Sequence, residues 1–235
     1  MRISKRSDRK EWNAVQLDFG IILDWLPAFG DALLVTLGTT VCSLILGLLI
    51  SIPLSLCKIS NLKPLQWFAF FYTSVFRGVP LLVQVFMMYF GIPLVLPVRF
   101  TAFQAGTLVF AMNSAAYISE SLKGGISAID RGQYEAAMAL GVHYPSMMKD
   151  VILPQAIKSV LPSLVNEFIS LLKNTTLIAS IGLVDILSVG QRIQARTYRA
   201  FEPFFAIAVF YYVLVLGLSF LGKALEKKVN ASDRG

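Results

Sequence analysis

Charge is scarce in this chain. Charged residues make up 15% of its 235 positions, against roughly a quarter in ordinary soluble domains, and the deficit is gathered into long uncharged runs that leave no room for a large soluble domain. His143 is the only histidine and Cys42 and Cys57 are the only cysteines, which excludes a clustered His/Cys metal site. The two cysteines share one apolar run, about 22 Å apart on a helix rising 1.5 Å per residue, beyond disulfide reach, and read as small buried hydrophobes. No glycine-rich phosphate loop ending in Gly-Lys-Ser or Gly-Lys-Thr occurs, so the chain has nothing with which to cradle ATP. No nucleophile and base converge in the sequence either, so there are no candidate catalytic residues.

What is abundant is hydrophobicity, at 56% of residues. The fold class this implies is all-α, a polytopic membrane protein of about five spans. Ala32 to Cys57 is one uncharged run (32–57), long enough to cross a hydrocarbon core of about 30 Å. The second (64–98) runs from Pro64 to Val98 and is interrupted only at Arg77-Gly78-Val79-Pro80; the stretch before Arg77 is too short to span alone, so it reads as one long, locally broken helix. The third (100–122) is uncharged from Phe100 to Ser119. The fourth (159–186) contains Glu167, Lys173 and Asp185, and the fifth runs from Pro203 to Gly222 (203–222). Ahead of them, residues 1–31 begin with a basic tail that has no signal-peptide core behind it. Trp12, Val15, Phe19, Ile22, Leu26 and Phe29 recur at helical spacing, which fits an interfacial helix or a partly ordered tail, with Gly20 and Pro27 as interruptions.

Between the third and fourth spans lies a polar loop, 124–156. Gly124, Gly125 and Gly132 punctuate its start. Tyr134 to Leu140 reads as a short Ala-rich helix stopped by Gly141 in the left-handed conformation, a second short helix follows from Pro145 to about Ile152, and Pro154 permits a fresh helix start. His143 within the loop reads as a solvated surface residue.

The loop's spacing is specific. Glu135-Ala136-Ala137, then Gly141, then Leu153-Pro154 resembles the EAA signature of bacterial ABC importer permeases, with Val151 where that pattern has Ile. Phe76–Gly91 (FRGVPLLVQVFMMYFG), Asn113–Ile126 (NSAAYISESLKGGI) and Lys173–Gly182 (KNTTLIASIG) resemble the polar-amino-acid subfamily, with Val79, Ser119, Lys123 and Thr176 as departures. The resemblance implies the type I importer permease fold and a transport subunit rather than an enzyme. It implies partners too: two ABC ATPase subunits that carry ATP and Mg, a second permease chain, identical or homologous, and an extracytoplasmic solute-binding protein. In that reading Glu135 supplies charge at the ATPase contact, Ala136 and Ala137 allow close approach, and Gly141 turns the chain back. The expected partners also include membrane lipid and exclude nucleic acid, and no cofactor is expected on this chain. A permease for another small solute, a passive channel or a membrane enzyme are the alternatives; a channel would not need a coupling loop.

Five spans put the termini on opposite sides of a bacterial cytoplasmic membrane. Placing the loop inside also places Lys58, Lys63, Lys123, Arg131, Lys149, Lys158, Lys223, Lys227, Lys228 and Arg234 inside and Arg99, Arg192, Arg196 and Arg199 outside, as the positive-inside rule prefers. The C-terminus is then cytoplasmic and the N-terminus external, although the basic tail runs against the rule. Counting along the spans puts Arg77 and Lys173 at a similar depth, about 20 Å from the inner face at 1.5 Å per residue. Charges near the bilayer centre usually face a cavity or a partner, so these two either receive a substrate carboxylate or act as framework, pairing with Glu167 or capping carbonyls. Asn113, Tyr117 and Glu120 share a face of the third span, and Asn166 and Glu167 lie on the fourth; all are candidate substrate ligands. Glu120 can neutralise a substrate cation or anchor the helix end against Lys123, three residues on.

Overall fold

The computed structural model describes residues 17–231, and every regular element among them is helical. A single turn, α1 (Gly20–Leu23), precedes α2 (Leu26–Ile59). Residues 12–16 of the apolar stripe lie outside the described residues. From Leu17 onward the stripe is not one helix, because residues 17–19 are not helical and Asp24 and Trp25 separate α1 from α2. Pro27 does not interrupt α2 but starts it, occupying the first turn where its missing N–H has no partner to lose.

α2 packs most extensively on α6 (Ala102–Ser127). The buried side of α2 carries Thr36, Thr39, Thr40, Ser43, Gly47, Ser51 and Ser55, while Leu34, Ile45, Leu49, Ile52 and Leu56 are exposed. This reverses the pattern of a soluble helix for a physical reason: lipid is as apolar as leucine, so small residues that let backbones approach are what favour the helix pair. A Cβ on Gly47 would lie 3.1 Å from the Ala111 carbonyl oxygen. Thr39 and Thr40 return their hydroxyls to the carbonyls of Val35 and Thr36, while the Ser43 hydroxyl crosses to the Thr107 carbonyl at 3.2 Å. The cysteines are not buried as expected: Cys42 is exposed and Cys57 half-buried, which places Cys42 on the apolar outer side of α2.

The second span is broken more sharply than a local interruption. α3 (Lys63–Gly78) is followed at Val79-Pro80 by α4 (Leu81–Phe86), a π turn (Met87–Gly91) and α5 (Ile92–Val95), and the two arms meet at 103°. α6 then opens with a capping box in which Thr101 and Gln104 bond each other's backbone.

In the polar loop α7 runs Arg131–Ala139, three residues earlier than the Tyr134 start expected, because the Asp130 carboxylate accepts from the Gly132 N–H as N-cap. The second loop helix exists, α8 (Tyr144–Met147), but it is not separate. A π turn (Met148–Ile152) carries it into α9 (Leu153–Asn174), so Pro154 does not begin a new helix. Proline removes the donor owed to the fourth preceding carbonyl and crowds it, and a wider π turn immediately upstream absorbs the misfit. Pro93 follows its own π turn at the same two-residue offset.

The fourth span also ends sooner than expected. α9 tightens into a 3-10 stretch (Thr175–Ile181), Gly182 turns left-handed at φ +86, and a separate amphipathic helix, α10 (Ile186–Thr197), leaves at 48°. Asp185 is therefore not inside the span but is the buried N-cap of α10, accepting from the Ser188 N–H and hydroxyl. α11 (Phe201–Ala231) closes the chain. By length and hydropathy α2 and α11 can each cross a membrane, and each bent pair can do so as a unit. One apolar core joins α4, α6 and the end of α9 around Val85, Phe110 and Ile178. A second joins α2, α10 and α11 around Phe29, Ile193 and Ile207.

Candidate functional site

The break at Val79-Pro80 has a defined cost. Phe76 should bond the N–H four residues on, but that residue is Pro80, which has none. The orphaned carbonyl is met by two side chains: the Asn113 amide of α6 donates at 2.6 Å and the Gln84 amide of α4 at 2.9 Å. Gln84 also donates to the Val79 carbonyl at 2.8 Å. The Tyr72 hydroxyl, one turn before, donates to the Met112 carbonyl at 2.9 Å and ties α3 to α6.

Beside this break lies a cavity of about 560 Å³. Residues 76–81 form one wall, Asn113 and Tyr117 of α6 a second, and Glu167, Ser170 and Asn174 of α9 a third. Arg77, in the last turn of α3 where a cation is favoured by the helix dipole, lies over the Tyr117 ring at 5.0 Å to its centroid. That stacking adds a cation–π attraction and leaves guanidinium donors available. Glu167 brings a carboxyl group to the same space, so the walls offer a guanidinium and a carboxyl together with amide and hydroxyl groups.

Of the seven candidate ligands, four line this cavity: Arg77, Asn113, Tyr117 and Glu167. Asn113 does so with its amide nitrogen already committed to the Phe76 carbonyl. Lys173 is exposed and does not line it, which corrects the expected pairing of Arg77 with Lys173 around one substrate carboxylate. Asn166 is likewise exposed and outside it. Ser170 and Asn174 were missed, although they follow Glu167 at the i+3 and i+7 positions that share a helix face.

Glu120 belongs elsewhere. It does not pair with Lys123 but with Lys58, whose ammonium lies 2.7 Å from its carboxylate and 2.7 Å from the Ser119 hydroxyl. The Lys58 side chain is 5% exposed and the Glu120 side chain 40%, so the pair pins the C-terminal end of α2 to α6 beside a smaller cavity of about 250 Å³.

The loop forms a small folded unit of its own. Ala137, Met147 and Ile152 are buried together, with Tyr134, Met148 and Val151 packed against them. Gly141 takes φ +72, and the Val142 N–H bonds the Ala137 carbonyl while the Gly141 N–H bonds that of Met138, the two bonds of a Schellman cap. Within the EAA tripeptide, Glu135 and Ala136 are exposed while Ala137 packs inward. Leu153 and Pro154 are exposed at the start of α9. Partial burial, with Tyr144 nearby, pushes the Tyr134 phenol above its ordinary value. Leu140, 82% exposed, and Met138, 63% exposed, stand at the tip. His143 is exposed, as expected, and precedes α8 as its N-cap.

Residues 43–231 match the family described as binding-protein-dependent transport system inner membrane component. The arginine transport system permease protein ArtQ of Bacillus subtilis is 47% identical over 219 residues, 93% of this chain and 100% of that protein. A putative glutamine transport system permease protein GlnP of Rickettsia felis is 45% identical over 199 residues, 85% of this chain and 91% of that one. Among solved structures, that of an amino acid ABC transporter with histidines superposes with a TM-score of 0.85 at 40% identity, covering 90% of this chain and 99% of that one. The inward-facing MetNI methionine transporter, at 19% identity and a TM-score of 0.76, shares the fold.

Proposed function

Since the chain belongs to the family of binding-protein-dependent transport system inner membrane components, and so is a transport component of an ABC importer, we propose that it carries a polar amino acid through the 560 Å³ cavity beside Arg77. The supporting observation is the charge pairing of the walls. An α-amino acid presents a carboxylate and an ammonium a short distance apart, and the cavity offers the Arg77 guanidinium and the Glu167 carboxylate to receive them. Ser170 and Asn174 are left to meet polar side-chain atoms. Relatives named as arginine and glutamine permeases fit this class of cargo.

The chain has no phosphate loop, so the work is assigned to separate ATPase subunits that hold ATP and Mg. We assign their contact to the exposed tip of the loop, with Glu135, Ala136, Leu153 and Pro154 at the surface and Ala137 and Gly141 holding the loop in shape. A second permease chain and an extracytoplasmic solute-binding protein complete the proposed assembly in a bacterial cytoplasmic membrane, with the N-terminus outside and the C-terminus inside. ATPase closure on the loop would drive alternating access.

Direct binding to the purified complex, without the external binding protein, tests the cavity. Arg77→Gln should weaken binding of a carboxylate-bearing amino acid by about tenfold or more, as loss of a charge-assisted hydrogen bond implies. The decarboxylated amine of the same amino acid should bind wild type and variant alike. Equal loss for acid and amine would refute the assignment of Arg77 to the carboxylate.

A further inference from the structure

We propose that Gln84 is the positioning residue that aims Arg77 into the cavity, a step that rests on the function proposed above. Gln84 does not line the 560 Å³ cavity; it lines an apolar cavity of about 320 Å³ that shares Phe76 and Val79 with it. From there its amide nitrogen donates to both the Phe76 and the Val79 carbonyls, at 2.9 and 2.8 Å. These two carbonyls bracket Arg77 and Gly78. One side chain of α4 thus holds the ends of the short segment that carries the guanidinium, while the Asn113 amide holds Phe76 from α6.

The amide can be oriented only one way, because a flip would set its oxygen against two carbonyl oxygens. In that orientation Gln84 Oε1 is buried with no hydrogen-bond partner among the described residues. Leaving a buried acceptor unsatisfied is unfavourable, so the two bonds made by the nitrogen are what hold this side chain in place. A residue that merely filled the apolar cavity would be better served by methionine, three of which already line it. Gly78, between the two carbonyls, has open space where a Cβ would stand, so side-chain packing does not fix the segment from the cavity side. Without Gln84 the two arms would keep their packing, but the Phe76–Val79 segment would lose its side-chain tether from α4 and rely on the last turn of α3, the Asn113 bond and the Tyr117 ring.

The test uses the assembled complex and the amino acid that wild type binds best in the experiment above, with binding normalised to folded complex. Gln84→Glu preserves the size of the side chain and removes both N–H donors. Its dissociation constant should rise about fivefold or more at neutral pH, about fivefold being the smallest effect that the loss of two net hydrogen bonds would give. It should recover in part under acid conditions, where a protonated carboxyl can donate to one carbonyl. In the Arg77→Gln background the same change should add nothing, because its effect passes through Arg77. Gln84→Met should match the neutral-pH loss without the recovery in acid. Wild-type affinity in Gln84→Glu, or full additivity with Arg77→Gln, overturns the positioning role. An unchanged affinity for Arg77→Gln alone would instead overturn the cavity assignment on which it rests.

Discussion

Gly141 offers a test of coupling in which sterics and backbone conformation separate cleanly. It holds φ +72, and a Cβ built there meets nothing within 4 Å among the described residues, so the effect of adding a Cβ is conformational and not a clash. A non-glycine residue in the left-handed region costs about 1–2 kcal/mol, a shift of about five- to thirtyfold in a two-state balance. Asparagine tolerates that region, alanine less so, and valine, branched at Cβ, least. The substituted loop would lose the paired bonds from Val142 to Ala137 and from Gly141 to Met138, and with them the fixed placement of α7 on Met147 and Ile152. Substrate-stimulated ATPase activity of the reconstituted complex should therefore fall in the order Gly141→Asn, Gly141→Ala, Gly141→Val. Insertion and docking of the external binding protein should be unchanged in all three. Stimulation that ignores this order, or survives intact in Gly141→Val, refutes the assignment of coupling to the loop.

Removing one partner of the Lys58–Glu120 pair should be asymmetric. Glu120→Ala strands a buried ammonium and should destabilise by about 1–3 kcal/mol, discounted from the fully buried case because Glu120 is partly solvated, whereas Lys58→Met leaves a carboxylate that water can reach and should cost less; thermal melting of the detergent-solubilised protein compares them, and equal losses contradict the burial argument. In a background lacking Cys42 and Cys57, an impermeant thiol reagent applied from outside should label Arg196→Cys and not Lys149→Cys, and the reverse pattern inverts the proposed orientation. Gly106→Ala would bring a Cβ to 2.6 Å from Ile178 Cγ2 and should lower the melting temperature, while Gly124→Ala, with open space at its Cβ, should not; similar melting for the two would mean that α6 is less tightly packed than its geometry requires.

The long apolar helices α2 and α11, the break at Pro80 and the loop with its left-handed Gly141 were legible in the sequence because each rests on local chemistry: an uncharged run, a missing donor, a residue without a Cβ. Tertiary pairing was not. Lys123 is the helical neighbour of Glu120, yet Lys58 takes the carboxylate because α2 and α6 lie close along their small-residue faces. Hydropathy gave no sign of that face, since lipid does not select for polar residues on the outside. The fourth span, bounded at 186, takes in only the first residue of α10, because the arginines of that helix mask its apolar stripe of Ile186, Val189 and Ile193; the Asp185–Ser188 cap is the signal that marks its start. Lys173 illustrates a different limit. Residue counting fixes depth but not direction around the helix. Six residues beyond Glu167, at about 100° each, put Lys173 about 120° from its face.

The π turn ahead of Pro154 changes what coupling requires. Two helices divided at Pro154 would leave a joint between the loop and the fourth span, and a push on the loop could be lost in bending there. Instead α8, the π turn and α9 form one helical run from Tyr144 to Asn174, and Glu167, Ser170 and Asn174 lie on it. At 1.5 Å per residue, Glu167 stands about 35 Å from Tyr144 along this run, with Pro162 as its internal proline between the loop and the cavity. A tilt imposed at the loop would reach the α9 wall of the cavity through that proline. The opposite wall, which carries Arg77, is tied to α6 by side-chain hydrogen bonds, α3 through Tyr72 and the break through Asn113 with Gln84, whereas α9 meets α6 by close packing, as where Gly125 lies against Ala156 and Val160. In the proposed cycle the carboxylate of Glu167 moves with the ATPase while the guanidinium of Arg77 stays with α6, so the separation of the two charges that grip an amino acid is the quantity the loop controls.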